Sequence, residues 1–292
     1  MKGIILAGGL GTRLHPSTIS VSKQLLPIYD KPLIYYPLSN LLSAGIKEIL
    51  IISTSGNIGL FQKLFGDGSE LGIKLSYESQ DKPNGIAEAF IIGEKFINSD
   101  DVTLILGDNI YYGSQIAAQL KEQASRKADD AKIFAYKVQD PERYGVVEFN
   151  ENKSVVSIEE KPLLPKSNYA VTGLYVYDKS VCALAKSLSP SARGELEITD
   201  LNNLYLKMDK LEVLLLDTGT AWLDAGTPDS LLEAAHFVQT IQNRQLIQIG
   251  CIEEIAFKQG FISQERFQEI AQESPQNKYG DYLRNLDKNL PI

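Results

Sequence analysis

The chain has 292 residues, 43% of them hydrophobic, and a formal net charge of −8. Such an acidic balance argues against nucleic acid as a partner, because nucleic-acid-binding proteins present clustered basic residues to the phosphates. No apolar run approaches the roughly 20 residues that span a membrane, so we expect no membrane partner and a cytoplasmic location. Only Cys182 and Cys251 are present, and a disulfide framework is therefore not expected.

A phosphate-binding loop is predicted near the N-terminus, where residues 3–14 have the sequence GIILAGGLGTRL. Glycines after a buried strand let backbone N–H groups approach a ligand closely, and successive N–H groups form an anion-binding concavity. Arg13 and Lys23 add positive charge. The loop is not a P-loop, because no lysine follows the glycines in the required register. It also lacks the third glycine of the dinucleotide fingerprint, since Leu14 follows Arg13.

Strands and helices alternate along the first half of the chain. Apolar runs predict strands at 48–52, 102–106 and 132–136, and helical patterns lie at 37–44, 58–65, 86–96 and 115–127. This alternation predicts an α/β fold with a doubly wound, largely parallel (mixed) sheet flanked by helices. Ligands of such sheets bind beyond the carboxyl ends of the strands, where Gly8 and Asp108 are both expected.

The pattern changes after residue 140. A hairpin is predicted from strands 145–149 and 155–158, further strands at 169–177 and 211–216, and helices at 230–245, 253–259, 263–272 and 281–287. We therefore expect a core over 1–227, made of a nucleotide half (about 1–140) and a β-rich half (about 141–227). The helical segment 228–292 is too short for an independent core and is expected to pack on the main body or on a sister subunit.

Motifs along almost the whole chain support one resemblance. The loop GGLGTRLHP at 8–16 is followed in order by VSKQLLPIYDKP (21–32), LGDN (106–109), YGVV (144–147), EEKP (159–162), RGELEITD (193–200), WLDAGT (222–227) and CIEEIAF (251–257). Together they resemble the nucleotidylyltransferases that activate sugar 1-phosphates, and most specifically the glucose-1-phosphate thymidylyltransferases. The resemblance implies transfer of a nucleotidyl group from dTTP to α-D-glucose 1-phosphate, giving dTDP-glucose and pyrophosphate, in a homotetramer. The product would feed dTDP-rhamnose or related deoxysugars.

The resemblance also implies roles for the charged residues. Arg13 would hold the leaving phosphates, Lys23 would neutralise triphosphate oxygens, and Lys161 would hold the sugar phosphate. Mg²⁺ is the implied cofactor, with Asp108 and Asp224 as its ligands; both aspartates follow predicted strands. Magnesium commonly uses one or two carboxylates together with substrate phosphates and water.

Further positions match family residues that contact the nucleotide or the sugar. The implied nucleotide-binding residues are Leu6, Gly8, Gly9, Gly11, Thr12, Arg13, Gln24, Gln80, Pro83, Gly85 and Asp108. The implied sugar-binding residues, which make 141–227 the sugar-binding half, are Asn109, Tyr144, Gly145, Glu160, Lys161 and Val171. Glu88 stands where relatives often carry glutamine, and we expect it on the outer face of its helix with little effect.

Three alternatives stay open at this point. The same chemistry could use UTP or another sugar 1-phosphate, since thymine and uracil differ by one methyl group, worth only about 1–3 kcal/mol. A catalytically silent nucleotide-sugar sensor would be expected to lack Arg13, Lys23, Asp108 or Asp224, and all four are present. A nicotinamide-dependent oxidoreductase would need the missing third glycine. Regulation at the CIEEIAF motif is also left open.

Overall fold

The computed structural model describes residues 1–126 and 129–288. Its strands are short, and most carry apolar side chains on both faces. The strands are β1 Lys2–Leu6, β2 Pro27–Ile28, β3 Lys31–Pro32, β4 Glu48–Ser53, β5 Lys74–Ser79, β6 Val102–Leu106, β7 Asn109–Tyr112, β8 Ala131–Lys137, β9 Gly145–Phe149, β10 Val155–Glu160, β11 Tyr169–Tyr177, β12 Leu211–Leu215 and β13 Ala221–Asp224.

The helices flank the strands and continue to the end of the described chain. They are α1 Tyr35–Ser43, α2 Ser55–Phe65, α3 Glu88–Ile92, α4 Glu94–Ile97, α5 Ser114–Ser125, α6 Val181–Lys186, α7 Ile198–Lys207, α8 Pro228–Gln245, α9 Ile252–Lys258, α10 Gln264–Glu273 and α11 Lys278–Lys288. No helix in the described ranges is long and apolar enough to cross a membrane.

Nine strands form one mixed sheet, as the sequence predicts for the fold class. The order is β10-β9-β11-β6-β1-β4-β5, with β8 beside β11 and β12 beside β8. Strands β6, β1, β4 and β5 run parallel, whereas β11 is antiparallel to β6, β8 and β9. The long strand β11 therefore joins the parallel half to the predicted hairpin β9–β10, which is present.

Two hydrophobic clusters cover the two faces of this sheet. Successive residues of one strand point to opposite faces, so Ile5 of β1 belongs to one cluster and Ile4 to the other. The first cluster packs against α1, α2 and the C-terminal helices, which contribute Ile252 and Phe267. The second cluster packs against α3, α6 and α7.

Most predicted elements are confirmed, with one helix corrected. The helix predicted at 86–96 is two short helices, α3 and α4, that meet at Gly93. A Cβ at Gly93 would lie 2.9 Å from the carbonyl oxygen of Ala89, so the chain passes too close to its own backbone for an ordinary side chain. The last residue of the helix predicted at 115–127, Lys127, lies outside the described residues. Helices α6 and α7 and the small sheet β7–β13 were not expected.

Gly72 packs closely against the C-terminal helical segment, so a larger residue at this position should destabilise the fold. It adopts φ +65°, and a Cβ there would lie 2.1 Å from the carbonyl oxygen of Phe261, between α9 and α10. Gly72→Ala is expected to lower the free energy of unfolding by more than the about 1–2 kcal/mol of a left-handed alanine, because the tail must also move away. Chemical denaturation measures this loss.

Gly59→Ala is the matched control. Gly59 lies inside α2, and a Cβ there meets nothing within 4 Å, so alanine should stabilise the helix by up to about 1 kcal/mol. Equal unfolding free energies for Gly72→Ala and the unmodified protein would contradict the prediction.

Candidate active site

Two adjoining cavities open beyond the carboxyl ends of β1 and β6. The larger has a volume of about 520 Å³ and the smaller about 200 Å³. They share Ile86, Leu106, Asp108 and Glu195 as lining residues. Asp108 therefore lies where the two cavities meet, which is the location that the strand pattern predicts for it.

The cavities collect most of the residues that the resemblance singles out. The larger is lined by Arg13, Asp108, Asn109, Tyr144, Gly145, Glu160, Lys161, Val171 and Asp224. The smaller is lined by Leu6, Gly8, Gly9, Gln24, Gln80, Pro83, Gly85 and Asp108. Three predicted residues, Gly11, Thr12 and Lys23, line neither cavity.

Lys23 reaches the site through an ion pair. It begins a short 3₁₀ turn, and its Nζ donates a hydrogen bond to Oδ2 of Asp108. Burial by itself would raise the pKa of Asp108, but the charge and hydrogen bond of Lys23 outweigh it, so the pKa lies below its ordinary value. Asp108 is thus held ionised beside a mostly buried cation.

Asp224 is brought to Asp108 by the small sheet. In the antiparallel pair β7–β13, Asp224 lies opposite Asn109, and the backbone N–H of Ala225 donates to the carbonyl oxygen of Asp108 at 3.1 Å. The pKa of Asp224 is raised, first by burial and second by the negative charge of Asp108. The described residues contain no group of three or more potential metal-ligating side chains, and Asp108 and Asp224 form a pair rather than such a group.

Arg13 lies on the same side of the larger cavity as Asp224. Gly11 begins its turn in the left-handed conformation, and Thr18 donates a hydrogen bond to the carbonyl oxygen of Gly11 at 2.7 Å. A Cβ at Gly226 would lie 3.1 Å from Nη2 of Arg13 and 3.0 Å from Oδ1 of Asp224. The guanidinium therefore lies close to Asp224, whose pKa it lowers in part.

Asn109 connects Asp108 with the aromatic wall of the larger cavity. Its Nδ2 donates to Oδ1 of Asp108 at 2.8 Å, and its Oδ1 accepts from Nε1 of Trp222 at 2.6 Å and from the N–H of Gly173 at 3.2 Å. These contacts leave one amide hydrogen for a ligand. The Trp222 ring lies 5.1 Å from that of Tyr144, and burial raises the pKa of Tyr144 to about 12.

A carboxylate and two cations lie at the far end of the larger cavity. Glu160 accepts a hydrogen bond from Thr199 at 2.6 Å through Oε2, while its Oε1 lies 3.5 Å from both Lys161 Nζ and Arg193 Nη2. Lys161 is half exposed. Arg193 is anchored by Glu197, both of whose carboxylate oxygens lie 2.8 Å from Nη2.

Sequence reasoning assigned no role to Arg193 or Arg143, although both line the larger cavity. Arg193 lies within the RGELEITD motif, so the motif itself could have identified it. Arg143 precedes the YGVV motif. It contacts Asp140 at 2.7 Å and lies 3.8 Å from Asp224, a proximity that only the folded chain creates.

The smaller cavity holds two oriented amides. Gln24 accepts a hydrogen bond from the Ser22 hydroxyl at 2.6 Å. Gln80 donates from Nε2 to Oε2 of Glu88 at 2.7 Å. The expectation that Glu88 faces outward is therefore wrong: its carboxylate turns inward, because it accepts hydrogen bonds from Gln80, directly after β5, and from Asn84.

Comparison with known proteins agrees with this geometry. The nucleotidyl transferase family model matches residues 2–241. The chain is 58% identical to a glucose-1-phosphate thymidylyltransferase of Neisseria meningitidis, covering 99% of this chain and 100% of that one. It is 51% identical to one of Mycobacterium tuberculosis, covering 98% and 99%.

Solved structures give the same result. A Bacillus anthracis structure assigned as a glucose-1-phosphate thymidylyltransferase superposes with a TM-score of 0.75 at 44% identity, covering 81% of this chain and 94% of that one. A UDP-glucose pyrophosphorylase complexed with UDP-glucose shares the fold, with a TM-score of 0.70 at 24% identity over 82% and 98% of the two chains. The chain therefore belongs to the nucleotidyl transferase family and, within it, to the glucose-1-phosphate thymidylyltransferases.

Proposed function

We propose that the chain transfers a thymidylyl group from dTTP to α-D-glucose 1-phosphate, giving dTDP-glucose and pyrophosphate. The observation that carries the proposal is the pair of cavities that meet at Asp108. The smaller cavity suits a planar base, since its volume is only about 200 Å³ and it carries two amides. The larger suits a phosphorylated sugar, since it carries both a carboxylate and cations. The names of the relatives support the same reaction.

In this reaction an oxygen of the sugar phosphate attacks the α-phosphorus in line with the leaving group. The new P–O bond forms as the bond between the α-phosphorus and its bridging oxygen breaks, and pyrophosphate leaves with the electron pair. Little covalent chemistry is required of the protein, so positioning and charge neutralisation supply the catalysis.

The cations neutralise the two meeting anions. We assign Arg13 to the β- and γ-phosphates, because a guanidinium binds phosphate through two parallel hydrogen bonds. Lys161 holds the sugar phosphate, and its half-exposed ammonium lies beside Glu160 at the far end of the larger cavity. Lys23, paired with Asp108, neutralises triphosphate oxygens at the junction of the cavities. Gly11 and Thr12 contribute through the backbone of the loop that carries Arg13.

The remaining predicted contacts divide between the two cavities. For the base we assign Gln24 and Gln80, whose amides offer a donor and an acceptor to an imide edge. The close backbone of Gly8 and Gly85 completes this end, together with Leu6, Gly9 and Pro83. For the sugar we assign hydrogen bonds to Glu160 and Asn109, with Tyr144, Gly145 and Val171 as the surrounding wall.

Asp108 and Asp224 fit a divalent cation such as Mg²⁺. The two carboxylates line one cavity, and a cation beside them would be stabilised by both charges. The pKa of Asp224 is raised by burial and then by the charge of Asp108, so its ionised form is unfavourable while no cation is bound. Magnesium accepts one or two carboxylates, completed by phosphate oxygens and water. When bound, it would neutralise charge between the α-phosphate and the sugar phosphate.

Asp224→Asn tests this pair through two opposite effects. Turnover should fall by at least about 10²-fold, whereas the melting temperature of the protein in EDTA at pH 7 should rise. The pKa of Asp224 is raised in the folded state, so the ionised carboxylate costs folding free energy above its folded pKa. That cost disappears when acid or the substitution removes the charge, and the difference in melting temperature should shrink as the pH falls.

Asp209→Asn is the matched control, because Asp209 is an exposed aspartate after α7 that lines neither cavity. It should change neither turnover nor the effect of EDTA. A lower melting temperature for Asp224→Asn than for the unmodified protein would contradict the predicted repulsion between Asp108 and Asp224.

Arg13→Ala is expected to reduce turnover by about 10²–10³-fold with an unchanged melting temperature, because the side chain is exposed and contributes charge rather than packing. Arg13→Lys should recover only part of the rate, since an ammonium cannot bind phosphate through two parallel hydrogen bonds. Near-normal turnover in Arg13→Ala would make the loop structural only.

The proposed reaction is tested by pyrophosphate release with Mg²⁺ and glucose 1-phosphate, comparing dTTP with UTP, CTP and ATP at subsaturating concentration. The fastest release with dTTP is expected. Faster release with UTP would keep the mechanism and change the nucleotide. No release with any triphosphate from folded, nucleotide-binding protein would refute the proposal and favour a sensor.

We also propose a homotetramer, as the resemblance implies. The large apolar side chains of Leu232 and Leu246, within and directly after α8, are exposed in the single chain and would suit a subunit contact. Light scattering measures the assembly directly, and a monomeric mass would contradict it.

A further inference from the structure

The amide of Gln80 is held from one side by two acceptors. Gln80 follows β5, and only 7% of its surface is exposed. Its Nε2 donates to Oε2 of Glu88 at 2.7 Å and to the carbonyl oxygen of Gly85 at 3.0 Å. An NH₂ group has two hydrogens, and these two contacts use both.

The chemistry of these partners fixes which way the amide faces. A carboxylate and a backbone carbonyl have no proton to donate, so only the NH₂ side of Gln80 can face Glu88 and Gly85. Its Oε1 then points the other way, towards Gly8, where a Cβ would lie 3.1 Å from it. Both Gly8 and Gln80 line the smaller cavity, and no described residue donates a hydrogen bond to Oε1. The cavity therefore presents a free acceptor.

The two acceptors are themselves held in place. The other carboxylate oxygen of Glu88 accepts a hydrogen bond from Nδ2 of Asn84 at 2.8 Å. Gly85 has φ +104°, and a Cβ there would lie 2.3 Å from the carbonyl oxygen of Leu196. Asn84 is also bonded through its backbone to Leu196 at 2.6 Å. The orientation of Gln80 is thus built into the loop before α3.

We propose that Glu88 is a positioning residue that fixes the Gln80 amide and thereby restricts the site to bases with an imide N–H. The proposal rests on the proposed function, in which the smaller cavity holds the base. Thymine and uracil present a donor at N3, which pairs with Oε1 of Gln80. Cytosine presents an acceptor at N3, so two acceptors would face each other without a proton between them, an arrangement that costs binding.

The test compares kcat/KM for dTTP, dUTP and dCTP in the unmodified protein, in Glu88→Leu and in Glu88→Gln. Leucine removes the stronger, charged acceptor and leaves only the Gly85 carbonyl to hold the Gln80 amide. The orientation is then less strongly favoured, and the dTTP/dCTP ratio should fall about tenfold, the effect of losing one hydrogen bond to a charged group. The dTTP/dUTP ratio should stay the same, because both bases carry the imide N–H. Glutamine retains an acceptor oxygen and should keep the dTTP/dCTP ratio within about threefold of the unmodified value.

Ratios within one variant do not depend on how much of the protein is active, which separates positioning from general damage to the loop. Damage would lower kcat/KM for all three nucleotides equally. Glu94→Leu makes the same chemical change on α4, where Glu94 pairs with Lys186 at the surface, and should move neither ratio. Glu88→Ala, which needs less space, is the second variant if leucine prevents folding.

Dissociation constants for the three nucleotides, measured in parallel by calorimetry, make the test independent of turnover. A protein that binds dTTP in preference to dCTP but releases no pyrophosphate would refute the proposed reaction. The role of Glu88 would still stand if Glu88→Leu lowered that binding preference. An active enzyme whose dTTP/dCTP ratio is the same in Glu88→Leu would overturn the role of Glu88. The same holds if the unmodified protein accepts dCTP as well as dTTP.

Discussion

The ion pair between Lys23 and Asp108 is the contact on which the rest of the site depends. It joins the segment after β1 to the end of β6, at the junction of the two cavities. Leaving a buried charge without its partner costs about 3–5 kcal/mol, so each residue constrains the other. Asp108 also adds to the rise that burial causes in the pKa of Asp224, and it accepts hydrogen bonds from Asn109 and Ala225. The acidic pair, the aromatic wall and the strand ends are thus all connected through Asp108.

From this point the site is organised by polar side chains that orient one another. Asn109 donates a hydrogen bond to Asp108 and accepts one from Trp222, whose ring packs against the ring of Tyr144. In the smaller cavity Ser22 orients Gln24 and Glu88 orients Gln80. Groups that are already oriented lose less entropy when a ligand binds. A site of this kind discriminates by which atoms face the cavity, more than by how many contacts it makes.

How well each element can be predicted from the sequence depends on which interactions stabilise it. Strands β1, β4 and β6 are buried on both faces, so their apolar runs identify them directly. The predicted helix is interrupted at Gly93, and the short elements β7, β13 and α6 pack against partners distant in the chain. Local pattern carries little information about such elements, because short helices and strands are stable only through tertiary contacts.

The sequence by itself determined the family and the mixed α/β sheet, and it predicted the phosphate loop with Arg13 and the aspartates at the strand ends, since these follow from local composition and ordered motifs. The tertiary structure decided that Lys23 pairs with Asp108, that Arg143 and Arg193 line the larger cavity and that Glu88 turns inward. Each of these depends on a distance between residues from separate elements. Hydrogen bonds and charges act over a few ångströms, and only the folded chain brings such residues that close.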